Sequence, residues 1–156
     1  LLNSILKEQN AVLVLKLHTE AIDIRQIEFS NIVQIDNEVL AKKHLHINQL
    51  LAHADALISD YSSVAIDYLL LDKPIAFAAD DMKEYEENRG FVFSPIEDWL
   101  PGKLIYNLDE FILFIDEVTK GIDSSEEVRK QLMGKLCTWC DGDNRKRLVE
   151  FLNINL

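Results

Sequence analysis

The stretch Ala54–Lys73, ADALISDYSSVAIDYLLLDK, constrains the fold more than any other. Ala56-Leu57-Ile58 is a short apolar run, as expected of a strand covered on both faces. Asp60-Tyr61-Ser62-Ser63 interrupts it. Val64, Ile66 and Leu70 then change the period towards a helix. Ser62 or Ser63 is the expected N-cap, because a serine hydroxyl accepts a bond from a first-turn N–H. A strand that ends in small hydroxyl residues at a helix start suits an anion, since free amides point at one place. The turn is therefore read as the holder of a nucleotide-linked donor's phosphate. Asp60 is expected to close the turn with its side chain, with a contact to the donor as the alternative.

The flanking sequence repeats the pattern. Strands are expected at Ala11–Leu17, Asn31–Ile35, Pro74–Ala78 and Leu104–Tyr106, with a further short strand or extended loop at Arg89–Phe93. Helices are expected over Leu1–Asn10, Ala21–Glu28, His46–His53, Asp80–Asn88, Leu108–Lys120, Ser124–Trp139 and Arg145–Leu152. Asp36-Asn37-Glu38 reads as a turn. Apolar strands alternating with helices predict an α/β fold, a Rossmann-like parallel sheet with helices on both faces. Ligands of such sheets sit beyond the carboxyl ends of the strands. His18, Asp60–Ser63 and Ala79-Asp80 fall there. The dinucleotide and P-loop glycine fingerprints are absent.

Composition narrows the partners. The 156 residues fit one domain, and a formal charge of −11 argues against a nucleic-acid or anionic-lipid face. A phosphate site must then be built locally, from amides and a few cations. No apolar run approaches ~18 residues, so no membrane span is expected. The chain starts at Leu1 without Met and is expected to be part of a longer protein. Cys137 and Cys140 form a lone C-x-x-C inside an expected helix, read as structural thiols in a reducing compartment. His44, His46 and His53 lack metal-site company, so no metal is expected. Asp141-Gly142-Asp143-Asn144 has the start of a calcium loop without its later glutamate, and is read as a helix-ending turn. Asp67 lies on an otherwise apolar helix. Buried there it needs a partner, with Arg89 or a serine hydroxyl as candidates, or else it contacts a ligand hydroxyl. Arg89 either offsets the acidic run Asp80–Glu87 or meets phosphate, which a guanidinium matches in geometry.

Five segments carry a family resemblance: KLH at Lys16–His18, ISDYSSVAIDYLLLDKPIAF at Ile58–Phe77, RGFVF at Arg89–Phe93, Pro101-Gly102, and DGDNRKR at Asp141–Arg147. In this order they resemble the C-terminal half of the CDP-glycerol glycerophosphotransferases of teichoic-acid synthesis. The resemblance runs almost the full length. It implies one half of a GT-B architecture, with residues 1–156 forming a single donor-binding domain. It places His18 at the donor pyrophosphate as the catalytic candidate, with Thr19 standing where the family has proline. It places Ser62, Ser63 and Arg89 at the donor phosphates, and Asp67 at the family's acidic position.

The implied activity moves glycerol phosphate, or a related polyol phosphate, from a CDP-linked donor to an acceptor hydroxyl in cell-wall polymer synthesis. No cofactor is implied. The acceptor polymer or lipid would be met by an N-terminal domain outside this sequence, and this fragment alone would not turn over. The implied location is cytoplasmic, peripheral to the cytoplasmic face of the membrane. Two alternatives stay open: a GT-B glycosyltransferase domain using a nucleotide sugar, and a non-catalytic nucleotide-binding or assembly module.

Overall fold

The computed structural model describes residues 1–16 and 28–154. The expected helix at Ala21–Glu28 falls almost wholly outside them. Helix α1 (Leu2–Glu8) precedes strand β1 (Leu13–Lys16). Then follow β2 (Ile32–Ile35), α2 (Asn37–Lys42) and α3 (Ile47–His53). The central unit is β3 (Leu57–Ser59), α4 (Val64–Leu69), β4 (Ile75–Ala78) and α5 (Met82–Asn88). A short 3-10 helix, Ile96–Trp99, leads to β5 (Lys103–Ile105). Helices α6 (Leu108–Thr119), α7 (Glu126–Leu136) and α8 (Asn144–Phe151) complete the chain.

Among the described residues every strand pairing is parallel, as the alternating pattern predicts. β1 pairs with β2, with Leu13 opposite Ile32. β4 lies between β3 and β5, with Phe77 opposite both Ser59 and Leu104. Among the described residues the ladder falls into these two pieces.

β4 shows why the run PIAFA has no polar position. Its side chains alternate between two apolar layers. Ile75 and Phe77 pack with Ala65, Tyr68 and Leu69 of α4, Met82 of α5, and Met133 and Leu136 of α7. Ala76 faces the other way, with Ile105, Phe114 and Phe111. Helices therefore cover both faces of this strand. Ile75, Ala76 and Phe77 are all at most 1% exposed. Fully burying side chains such as Ile75 and Phe77 stabilises by about 2 kcal/mol each.

Gly102 fixes how closely β5's entry approaches β4. A Cβ placed there would lie 2.3 Å from the Ile75 carbonyl oxygen. The Pro101-Gly102 turn is thus a packing requirement, and Pro101 is fully buried.

Two expectations change and one is narrowed. Asp36-Asn37-Glu38 opens α2 instead of simply turning the chain. The Asp36 carboxylate accepts the Val39 N–H at 2.8 Å, so the same polar residues act as a helix cap. Of the two readings of Arg89–Phe93, the loop forms and not the strand; Arg89 ends α5 and Phe91 drops onto the core. Asp143 stands at the N-cap position of α8, so DGDN starts a helix instead of ending one.

Candidate functional site

The carboxyl ends of β3, β4 and β5 bring together the Asp60–Ser63 turn, Ala79–Asp81 and Tyr106. The Ala79 N–H donates to the Ile105 carbonyl at 2.7 Å, which extends the β4–β5 ladder to this edge. The strand–turn–helix unit is tied off at its far end. The Ala54 carbonyl, at the end of α3, accepts from the Tyr68 hydroxyl at 3.0 Å and from Lys73 Nζ at 2.6 Å. Burial, with Asp55 nearby, pushes the Tyr68 hydroxyl up to about 12, so it stays a donor throughout the physiological range.

In the turn, the Asp60 side chain closes the loop. Its Oδ1 accepts the Ser62 N–H at 2.9 Å, an Asx-type closure. Ser63 occupies the N-cap position of α4 with αR backbone angles, and its hydroxyl makes no capping bond. An Oγ that caps belongs to a residue in the β region, so the αR geometry removes the bond that the sequence predicts. Ser62 Oγ instead receives a long contact, 3.5 Å, from the Val64 N–H. The Ser62 carbonyl accepts from Ala65 and the Ser63 carbonyl from Ile66, at 3.2 and 3.0 Å. Among the described residues, the Ser63 N–H and hydroxyl have no hydrogen-bond partner. Both serines are exposed. One backbone donor and two hydroxyls are therefore presented to solvent at the strand edge. α4 has only six residues, so its contribution is those local groups more than a long macrodipole.

Arg89 stands at the end of α5, exposed, with its guanidinium carbon 5.7 Å from the centroid of the Tyr85 ring. It pairs with no carboxylate among the described residues, although Asp80, Asp81, Glu84, Glu86 and Glu87 are close in sequence. Offsetting that acidic run is thus not what Arg89 does in this conformation.

Asp67 differs from expectation. It is exposed, and neither Arg89 nor a serine hydroxyl bonds it. Its helix presents Ala65, Tyr68 and Leu69 to the core and turns Asp67 outward. Its nearest electrostatic consequence is on Cys137, whose thiol is pushed up by burial first, by Cys140 next and by Asp67 last. His18 lies outside the described residues, so the structure does not bring it to the turn or remove it from the turn.

Tyr61 is what sequence reasoning missed. Its ring meets Tyr85 at 4.8 Å and Phe91 edge-on at 5.1 Å, and those two stack at 5.0 Å. Its hydroxyl donates to Asp81 Oδ1 at 3.1 Å. Burial, the Asp81 bond and the charges of Asp81 and Asp80 all push that hydroxyl well above its ordinary range, so it remains protonated. The signal available in the sequence was three aromatics on separate segments of the strand-end region.

The remaining candidates sit at helix ends and in the loop after α7. Cys137 ends α7 instead of lying within it, and Cys140 Sγ contacts the Cys137 carbonyl at 3.7 Å; both thiols are free. His46 caps α3 through Nδ1, which accepts the Asn48 N–H at 3.4 Å. Among the described residues no group of three or more His, Cys, Asp or Glu side chains could hold a metal ion.

The parallel sheet, its helices on both sides of β4 and the polar turn at the strand ends define a Rossmann-like α/β domain. Residues 3–153 match the family described as CDP-Glycerol:Poly(glycerophosphate) glycerophosphotransferase, and the chain belongs to that family. The chain is 31% identical over 149 residues to a teichoic acid glycerol-phosphate primase of Bacillus subtilis, covering 94% of this chain and 35% of that protein. A teichoic acid ribitol-phosphate polymerase of Staphylococcus aureus, TarK, is 28% identical over 151 residues, covering 94% and 27%. The wall teichoic acid polymerase TagF superposes with a TM-score of 0.68 at 26% identity, over 97% of this chain and 36% of that one. A variant of TagF soaked with CDPG gives 0.69 at 25% identity, over 97% and 37%. The chain thus spans about a third or less of the length of these relatives.

Proposed function

We propose that this chain is the donor-binding domain of a transferase that moves glycerol phosphate, or a related polyol phosphate, from a CDP-linked donor to an acceptor hydroxyl. The observation that carries this reading is the open Ser63 N–H and hydroxyl at the end of β3. They are offered where Rossmann-like sheets bind ligands, and Arg89 rests on the Tyr85 ring that meets Tyr61 of the same turn, without a competing carboxylate among the described residues. Relatives named as glycerol-phosphate primase and ribitol-phosphate polymerase, and the TagF structure soaked with CDPG, support the donor class.

The chemistry follows from charge. An acceptor oxygen attacks the β-phosphorus, the bond to the bridging oxygen breaks, and CMP leaves with that oxygen. The protein's task is to position the diphosphate and stabilise its charge. The Ser63 amide and the two hydroxyls bind neutral-to-anion, and Arg89 supplies a planar cation. His18, from the preceding strand's end in sequence, is the proposed donor of a proton to the leaving CMP. The acceptor polymer or lipid and its base belong to the remainder of a longer protein. The cytoplasmic face of the membrane is the proposed place of reaction, tested by fractionating cells that express the full protein. Among the described residues no helix is long and apolar enough to cross a membrane.

Calorimetry with CDP-glycerol, CDP-ribitol and UDP-glucose is the direct test. Binding of a CDP-linked polyol, weakened by Ser63→Ala, is expected. Tighter binding of the UDP-sugar would turn the reading to a glycosyltransferase. No binding by any of the three would leave an assembly module.

A further inference from the structure

The geometry points to Tyr61 as a positioning residue that couples the serine turn to Arg89, so that the two sides of the phosphate grip move as one unit. This rests on the donor-site reading above and names a residue which that reading does not use.

Tyr61 lies between the two working parts of the turn. Asp60 before it closes the loop on the Ser62 N–H at 2.9 Å, and Ser62 and Ser63 follow it. Its backbone is therefore part of the serine turn. Its side chain belongs to another neighbourhood. The ring is held by Tyr85 on α5 at 4.8 Å and by Phe91 at 5.1 Å, from the segment after that helix. The hydroxyl is held by Asp81, at the start of the same helix. One residue is thus gripped by the start and the middle of α5 and by the loop that follows.

Arg89 completes the link. Its guanidinium lies over the Tyr85 ring, the same ring that meets Tyr61. Two aromatic contacts, Tyr61 to Tyr85 and Tyr85 to Arg89, join the serine turn to the one cation placed here among the described candidates. Aromatic pairs prefer offset or edge-on arrangements, and the tilted and edge-on angles of 55° and 75° define one orientation of Tyr61. A cation over a ring is likewise fixed in direction without a carboxylate occupying its donors. A simple core aromatic would need neither the partly exposed setting nor the bond to Asp81.

The test uses Tyr61→Leu, Tyr61→Phe, Arg89→Ala and the Tyr61→Leu/Arg89→Ala double variant of this chain. Two readouts are taken: CDP-glycerol affinity by calorimetry, and the Arg89 Nε–Hε resonance in the ligand-free protein, which the Tyr85 ring shifts. Tyr61→Leu is expected to weaken CDP-glycerol about tenfold, on the scale of one charge-assisted contact. It should add nothing once Arg89 is alanine, and it should change the ring-induced shift, because Tyr85 loses one of the two rings that orient it. Tyr61→Phe keeps the rings, so it retains the shift and most of the affinity. Additive losses in the double variant, or an Arg89 resonance unmoved by Tyr61→Leu, would overturn the coupling. Failure of the wild-type chain to bind CDP-glycerol would defeat the donor-site reading alone, and the Arg89 resonance would then decide the coupling by itself. Should Tyr61→Leu not fold, Tyr61→Met, which removes the ring and keeps the length of the side chain, takes its place, with the same change of shift expected.

Discussion

The α5 and α7 regions, packed on the same face of β4, each hold an arginine, and they treat it oppositely. On the α7 side, Arg129 is 1% exposed. Its Nε donates to Asp72 Oδ1 at 2.9 Å and its Nη2 to the Asp72 carbonyl at 3.3 Å. Nη1 lies 2.7 Å from Asp123 Oδ2 as an ion pair, though outside hydrogen-bond geometry. On the α5 side, Arg89 is exposed, rests on a ring and has no carboxylate partner among the described residues. A guanidinium enclosed between carboxylates has committed its donors to the fold. One laid on an aromatic face keeps all five donors for a ligand. Burial alone would have ranked Arg129 as the more important arginine; its partners show that its importance is architectural.

The largest effect expected from breaking this contrast is at Arg129. Arg129→Ala removes the side chain that ties α7 to the turn after α4, where Asp72 adopts a φ of 49°. It leaves a cavity and two unpaired carboxylates, one of them mostly buried. The expected loss is about 3 kcal/mol of folding stability, read by urea denaturation. Nucleotide affinity per folded molecule should not change. A parallel fall in affinity would mean that the α7 side reaches the ligand after all.

Gly102 comes next, on the same architectural side of the comparison. Gly102→Ala drives a methyl group into the Ile75 backbone and should cost about 2 kcal/mol through overpacking. Gly134, inside α7, has open space where a methyl group would stand, with no neighbouring atom within 4 Å, so Gly134→Ala should stabilise by about 0.5–1 kcal/mol. Equal effects from the two glycines would refute the close β4–β5 approach.

Arg89 supplies the opposite outcome. Arg89→Ala should leave stability within about 0.5 kcal/mol, as for other surface substitutions. It should weaken a CDP-linked donor about tenfold, the scale of a lost charge-assisted hydrogen bond. A destabilised protein with unchanged affinity would reverse the roles assigned to the two arginines.

The same contrast explains what the sequence made legible. Continuous apolar runs such as PIAFA and the alternation with helical segments announce a parallel sheet, because burial on both faces leaves no polar position. The serine turn was legible because a break of polar residues falls between a strand and a helix. The rest depends on pairs distant in sequence. Tyr61 meets Tyr85 and Phe91 only after β3 and β4 align, and no local pattern announces such a contact. Asp67 looked buried because its neighbours are apolar, yet a six-residue helix still turns one position outward. Asp36-Asn37-Glu38 suits a turn and a helix cap equally well, and only the following Val39 and Leu40, which pack inward, decide it.

The smallest expected effect concerns a third arginine, at the surface, which tests whether pairing alone makes an arginine structural. Arg147 forms a two-pronged pair with Asp141, one prong being Nη1 to Oδ1 at 2.8 Å, and its guanidinium lies 4.2 Å from the Trp139 ring centroid. The Arg147 bonds, and after them the Asp143 N–H, hold the Asp141 carboxyl far below the usual carboxylate range. The sign follows from linkage. A carboxyl depressed in the folded state stabilises it above the unfolded value, near 4, and this gain is lost as pH falls towards the folded value. Asp141→Asn should therefore lower Tm slightly at pH 7, and the gap from wild type should close progressively below about pH 4. Added salt should shrink the pH 7 gap too, because the pair is open to solvent. A gap that is the same at every pH would show that Asp141 acts through its backbone turn and not through the ion pair. The Arg147 contact would then belong with the unpaired Arg89 and not with Arg129.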